Sequence, residues 1–512
     1  MKTAKIFYPD GLFTAVLLPE ETGTFPIVIE RSPYVDAQEN MTDEAVGEAL
    51  LTQFADFLDH GFAVVWQHCR GTGKSAGEFC AYVNERADGL ALRAWLRGQP
   101  FYNGEFYLAG GSYLSTVHLV TAPFEPDVKA AALFVQDSER YNVCYRNGFF
   151  KLGLHGNWFV GNYHKKQLRD TKKITPDIWM CLPLTDLPMQ VFGEACPNLD
   201  ATFRAPDRSD PYWLTHEGGA DSRGALDHAG IPILLRASFY DIYTGGLFDM
   251  WNAMSPETRA MSAMVVTPND HGDNPKYFEN SRIDHIAGAN YARRWFEAVR
   301  GGTEPPVPRG KLTYYRLFED RWDTAEFLGA DRTMRVPLGT KTVSYTYDPE
   351  NPPSFRGGLS ACFGGAEYQD KPGLRDDIVT VWSAPFAADT FVAGKMKARL
   401  AVSSDCEDTC FYIRVSLETA AGDFGLRDDI RSIVYERGDY TPGETAALDF
   451  LFDEHAFLVK AGQRLRIDIA SADAAHYVRH TNMRGLYAVQ TEAKAARNTV
   501  ELGKSWLELP VE

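Results

Sequence analysis

Phe106-Tyr107-Leu108-Ala109-Gly110-Gly111-Ser112-Tyr113-Leu114 is an apolar run of strand length that leads directly into two glycines, a serine and a segment able to be helical. A serine in such a strand-to-helix elbow is held on a strained turn with its hydroxyl projecting, and the first backbone N–H of the helix can stabilise an oxyanion. The usual pattern carries a second glycine two residues after the serine, where Leu114 stands here. The competing role for Ser112 is that of a helix cap.

Other short apolar runs surround this one: Pro26 to Ile29, Ala63 to Trp66, Ala130 to Val135, Ile231 to Ala237 and Ala263 to Thr267. Between most of them lie stretches of helical spacing, such as Glu44 to Leu58 and Glu85 to Leu96, so the alternation predicts a parallel sheet flanked by helices, an α/β domain. Pro9-Asp10-Gly11 is turn chemistry between two extended pieces and predicts an antiparallel hairpin leading into the sheet. Residues 136–230 form a long insertion rich in Tyr, Trp, Phe and Asn, expected to be a mostly helical cap over the carboxyl ends of the strands, where open α/β sheets bind ligands. From residue 335 to 512 the pattern changes to strands such as Lys395 to Val402, Cys410 to Leu417, Ala447 to Phe452 and Arg464 to Ala470, and predicts an all-β sandwich or jelly roll. The α/β core then comprises 1–135 and 231–334.

A serine is a weak nucleophile at neutral pH and needs a base and an acid to orient that base. Asp241 ends Ser238-Phe239-Tyr240-Asp241 just past the strand at 231–237, and His271 ends Pro268-Asn269-Asp270-His271 just past the strand at 263–267. Three strands thus deliver Ser, Asp and His to one sheet edge, in the chain order of α/β-hydrolases. A lone histidine is more often a surface or core residue, and its position after a buried strand is what singles out His271. Arg31-Ser32-Pro33-Tyr34 follows the first buried strand, so Tyr34 is either a second oxyanion donor or an aromatic loop anchor.

Several function classes are excluded. Gly71-Thr72-Gly73-Lys74-Ser75 resembles the tail of a phosphate-binding loop, but His68 occupies the place of the glycine required five residues before Gly73, and the stretch reads as a turn shaped by Arg70 and Ser75. A net charge of −17 and the lack of a long basic run argue against nucleic acid and anionic membranes as partners. The eight cysteines have no CxxC pair or framework spacing and are expected to be free thiols, and Cys406 and Cys410 have no histidine at ligand spacing, so no metal is expected. The first ten residues lack the features of a secretory signal and no window approaches a membrane span, which predicts a soluble, cytoplasmic protein.

Taken together, these motifs resemble the family of cocaine esterase, X-prolyl dipeptidyl aminopeptidases, α-amino-acid ester hydrolases and glutaryl-cephalosporin acylases. The resemblance runs through Arg31-Ser32-Pro33-Tyr34, Arg70 to Phe79, Asn103-Gly104, Gly110 to Leu114, Tyr240-Asp241, His271, Arg294-Trp295-Phe296, Pro442-Gly443-Glu444 and Gly462 to Arg466. It implies a serine hydrolase with Ser112, Asp241 and His271 as triad, an oxyanion hole of the Tyr34 hydroxyl and the Tyr113 N–H, no cofactor, and an α/β-hydrolase core with inserted helical cap and C-terminal jelly roll. The family itself carries Ser-Tyr-Leu at the elbow, which accounts for Leu114. His68-Cys69-Arg70 and Ser238-Phe239-Tyr240 depart from the family's habits, and Ile242-Tyr243-Thr244-Gly245 replaces the acidic residues with which amino-ester hydrolases hold a substrate ammonium. The expected substrate is a small ester or amide, and a homodimer is compatible with the sequence. Tyr141, Phe149, Phe150, Trp158, Phe159 and Tyr163, together with Tyr240, are the candidate pocket wall, with cap core as the competing role. Rival readings of the fold are an acyltransferase and a catalytically silent binding protein.

Overall fold

The computed structural model describes residues 1–162, 180–215, 223–272, 275–359, 365–474 and 476–512. Its first layer is a ten-stranded sheet. β1 (Thr3–Phe7) and β2 (Thr14–Leu18) form the expected hairpin, with Ile6 opposite Ala15, and β2 lies antiparallel to β4 (Ala63–His68). From there the sheet runs parallel through β3 (Phe25–Ser32), β5 (Tyr102–Gly111), β6 (Val128–Phe134), β9 (Ile233–Ser238), β10 (Ala263–Thr267) and β11 (Lys311–Arg316), and ends with antiparallel β12 (Arg321–Ala325). Every residue of β4, β9 and β10 is buried, which explains why these strands read as unbroken apolar runs: helices cover both faces of a parallel sheet.

The chain goes from β3 outward to β4 and then returns across β3 to β5. The loops after β3 and β5 therefore leave the carboxyl edge in opposite directions, and a crevice opens between them. Tyr34 follows one of these strands and Ser112 the other.

The helix expected over Glu44 to Leu58 is two, α1 (Asp43–Gln53) and α2 (Ala55–Asp59), because Phe54 leaves helical geometry at φ −102°, ψ 18°. Thr42 caps α1 by accepting from the Ala45 N–H. α3 (Glu85–Arg97) and α4 (Tyr113–Leu119) complete this half of the core.

The insertion is a cap of short elements: α5 (Arg140–Cys144), the small hairpin β7 (Tyr145–Arg146) and β8 (Phe149–Phe150), one π-helical turn at Leu152–Gly156, α6 (Asn157–Asn162), α7 (Leu187–Phe192) and α8 (Pro197–Phe203). Its own small core gathers Tyr141, Tyr145, Phe150, Phe203 and Trp213, all nearly fully buried. Among the described residues, no helix is long and apolar enough to cross a membrane.

The C-terminal part is a two-sheet β-sandwich. One sheet has eight strands: β13 (Arg332–Pro337), β14 (Thr342–Tyr347), β16 (Thr390–Gly394), β17 (Lys397–Ser404), β20 (Ala446–Leu451), β21 (His455–Val459), β23 (Ala496–Glu501) and β24 (Trp506–Val511). The other has four: β15 (Val379–Trp382), β18 (Cys410–Thr419), β19 (Gly422–Ser432) and β22 (Leu465–Ala470). The expected boundary at residue 335 falls inside β13, which pairs with β24, Arg332 opposite Val511. The sandwich thus begins a few residues earlier than its composition suggests, because an exposed edge strand rich in charge has little apolar signal. No disulfide joins two of the seven described cysteines, and Cys362 lies outside the described residues.

Core and sandwich are joined by backbone bonds and by buried side chains, Arg427 among them. The Leu317 N–H donates to the Ala456 carbonyl and the Leu458 N–H to that of Leu317, both at 3.0 Å. Arg427 of β19 donates to the carbonyls of Phe239, Asp453 and Glu454. Arg427→Leu leaves these buried carbonyls without donors and is expected to cost about 3 kcal/mol, seen as a lower denaturant midpoint by fluorescence; an unchanged midpoint would show that the joint does not depend on this residue.

Candidate active site

Ser112 sits at φ +58°, ψ −126°, a conformation costly for any residue with a Cβ. Its N–H donates to the Phe134 carbonyl at 2.8 Å, and its own carbonyl receives the N–H groups of Ser115 and Thr116 at 3.0 and 3.1 Å. The turn demands Gly110, since a Cβ there would lie 2.4 Å from the Leu114 carbonyl oxygen. The same Cβ would lie 2.8 Å from the Leu114 Cβ, so glycine at position 110 is what leaves room for a side chain at position 114.

Beneath the elbow lies a buried polar network built from the motifs around Arg31 and Arg70. The Tyr113 hydroxyl donates to Glu85 at 2.7 Å and accepts the Tyr82 N–H at 3.0 Å. Glu85 pairs with Arg31 at 3.2 Å, and Asp88 is clasped by Arg70 through two nitrogens at 3.1 and 2.5 Å. Ser75 joins the same turn by donating to the His68 carbonyl and accepting from the Phe13 N–H, each at 2.9 Å. The glycine-rich stretch is therefore a brace for the elbow. The Tyr113 N–H itself is the first of α4, a position with no intrahelical acceptor.

The ends of β9 and β10 are tied together by the Phe239 N–H to Thr267 carbonyl bond, 2.7 Å, and the Tyr240 N–H to Asn269 carbonyl bond, 3.0 Å. This brings Asp241 and His271 face to face. Asp241 is fully buried; one carboxylate oxygen accepts the Tyr243 N–H at 2.7 Å and the other meets His271 Nδ1 at 2.6 Å. With Nδ1 committed as donor to a carboxylate, Nε2 keeps its lone pair. Burial pulls the His271 pKa down, but the charge and hydrogen bond of Asp241 outweigh it and leave the imidazole above its usual value.

The Tyr34 hydroxyl accepts the Trp158 indole N–H at 2.9 Å and borders the same cavity as Ser112. Desolvation of the hydroxyl in the cleft pushes its pKa up to about 12 despite the Trp158 bond, so it stays protonated and able to donate at neutral pH.

Ser112, His271 and Tyr34 border one cavity of about 410 Å³. Tyr82, Ile242 and Tyr243 complete the core side, and the cap supplies Val143, Leu154, His155, Asn157, Trp158 and Asn162. Of the expected wall residues, the structure brings only Trp158 to this cavity among those described. Tyr141, Phe149, Phe150 and Phe159 are cap core: the Tyr141 hydroxyl donates to the Pro206 carbonyl at 3.0 Å, Phe150 stands edge-on to Phe203 at 4.9 Å, and Phe149 and Phe159 are buried beside them. Tyr240 faces the sandwich and donates to the Gly425 carbonyl at 2.9 Å. Tyr163 lies outside the described residues. Tyr82 and His155 were not anticipated, and neither carries a local motif that would mark it.

Comparison with known proteins agrees with this layout. The family model described as X-Pro dipeptidyl-peptidase (S15 family) matches residues 10–273, and that of the X-Pro dipeptidyl-peptidase C-terminal non-catalytic domain matches residues 340–505. A cocaine esterase from Rhodococcus sp. is 25% identical, covering 94% of this chain and 92% of its own. An α-amino acid ester hydrolase structure superposes with a TM-score of 0.82 at 17% identity, over 100% of this chain and 96% of that one. An aminopeptidase from a marine sediment Thaumarchaeota archaeon gives the same score at 16% identity, with the same coverage. The chain belongs to the X-Pro dipeptidyl-peptidase (S15) family and is a serine hydrolase.

Proposed function

We propose that the protein hydrolyses an ester or amide of a small acyl substrate through an acyl-enzyme on Ser112. The observation that carries this reading is the His271 Nδ1 to Asp241 contact of 2.6 Å at the border of a cavity that also receives Ser112. His271 Nε2 takes the Ser112 proton, Oγ attacks the carbonyl, and the oxyanion is held by the Tyr34 hydroxyl and the Tyr113 N–H. His271 returns the proton to the leaving group, water enters, and the same steps release the acid. Asp241 holds the ring in one tautomer and stabilises the imidazolium. The scheme calls for no cofactor.

The relatives named above, an esterase, an ester hydrolase and an aminopeptidase, all act at an acyl carbon, which supports the reading. A free ammonium on the substrate has little support, since no described residue bordering the cavity carries a carboxylate and Ile242 and Tyr243 occupy the positions after Asp241.

A fluorophosphonate probe is expected to add to Ser112, located by peptide mapping, and Ser112→Ala to abolish both labelling and turnover, the latter by about 10⁶; a folded wild type that is not labelled would overturn the scheme. Tyr34→Phe removes one oxyanion donor and should lower kcat by about 10²–10³ with little change in KM. Because the base must be neutral and its pKa is raised, kcat/KM should fall as pH drops through a midpoint above about 6.5. The same shift means that the stability contributed by the His271–Asp241 pair is present below pH 6.5 and lost as pH rises through the folded value. The gap in unfolding midpoint between wild type and Asp241→Asn should therefore narrow towards alkaline pH, and a gap that widens would contradict the assignment.

A further inference from the structure

Arg140, at the start of α5, is 8% exposed and forms no ion pair with any described residue. Its guanidinium lies 4.0 Å from the centre of the Tyr82 ring, its Nη2 meets His155 Nε2 at 3.1 Å, and its Nη1 is buried with no hydrogen-bond partner among the described residues. Burying an uncompensated cation costs far more than one cation–π contact returns. Among the described residues, no carboxylate meets that charge.

Both contacts of Arg140 belong to the cavity wall, since Tyr82 and His155 border the same space as Ser112. A guanidinium can only donate, so His155 Nε2 must accept and the proton of the neutral ring sits on Nδ1. Burial, then the charges of Arg140 and Lys151, drive the His155 pKa well below its usual value, so the ring stays in that form at neutral pH. Trp158 stacks on it at 5.5 Å with the planes 12° apart and fixes its orientation. The wall thus offers a donor backed by a positive charge, and no described residue bordering the cavity carries a carboxylate to answer it.

We propose that Arg140 and His155 form an anion-reading subsite of the cavity, and that the substrate is an ester or amide carrying a carboxylate, which accepts the His155 Nδ1–H in front of the Arg140 charge. This rests on the hydrolase reading above and adds the substrate class.

Two pairs of esters test it. Mono-4-nitrophenyl adipate against 4-nitrophenyl adipamate places the carboxylate, or its neutral amide, on the acyl side; 4-acetoxybenzoate against 4-acetoxybenzamide places it on the leaving group. In one pair the wild type should favour the carboxylate in kcat/KM by about tenfold or more, the discrimination expected of a charge-assisted hydrogen bond away from bulk water, and that pair identifies the side. Arg140→Gln should abolish most of the ratio and Arg140→Lys keep part of it; both esters of a pair are run on one preparation, so a partly misfolded variant does not alter the ratio. Turnover of the neutral esters with a ratio of one or less in both pairs overturns the subsite and leaves the hydrolase standing, as does an Arg140→Gln variant that slows both members of a pair equally. No turnover of any of the four by a protein whose Ser112 also fails to label overturns both.

Discussion

A serine held at φ +58° costs about 1–3 kcal/mol and persists only where its surroundings leave it no alternative. Much of this molecule can be understood as supplying that constraint. On one side β6 takes the Ser112 N–H, and α4 is drawn so close to the strand that only glycine fits at position 110. From below, the Tyr113 hydroxyl is locked to Glu85, which is locked to Arg31, while Asp88 ties Arg70 and its glycine-rich turn to the same helix α3. Motifs that look in the sequence like separate signatures are one buried assembly, and none of its side chains needs to meet a substrate to matter.

Asp241 and His271, the proposed acid and base, depend on a second support. Their loops are joined to each other by backbone bonds, and the acid loop is joined to the sandwich through Arg427 on the Phe239 carbonyl and Tyr240 on the Gly425 carbonyl. The β-domain is therefore part of what sets the angle of Asp241, although it contributes no residue to the proposed triad. Charge pairs between cap and sandwich, Arg146 with Asp429 at 2.8 Å and with Asp453 at 2.9 Å, close the third side of the same arrangement.

The core was legible because its signals are local. Strands buried on both faces announce themselves as short apolar runs, and Ser112, Asp241 and His271 each stand directly after one. The cap was not legible in the same way. Its elements span only a few residues each, too short to display a periodicity, so Tyr141, Phe150 and Phe159 could not be told from Trp158 by spacing, though they point into the cap and it points out. Tyr240 was misplaced for a related reason: the residue beside a catalytic acid looks like pocket until the position of the second domain is known. His155 and Tyr82 owe their interest to one another's neighbour, Arg140, and such a three-body relation between distant positions leaves no trace in the order of residues.

The hydrogen bond from the Trp158 indole to the Tyr34 hydroxyl joins the cap to the core. Trp158 shapes the cavity from the cap, while Tyr34 borders it from the core and is the proposed oxyanion donor. Selectivity and turnover are therefore not independent traits here. Any change at position 158 that adapts the cavity to a new compound also disturbs the aim of the phenol, so evolutionary routes to new specificity through this residue pass through slower intermediates unless a replacement keeps an N–H or O–H in the same place.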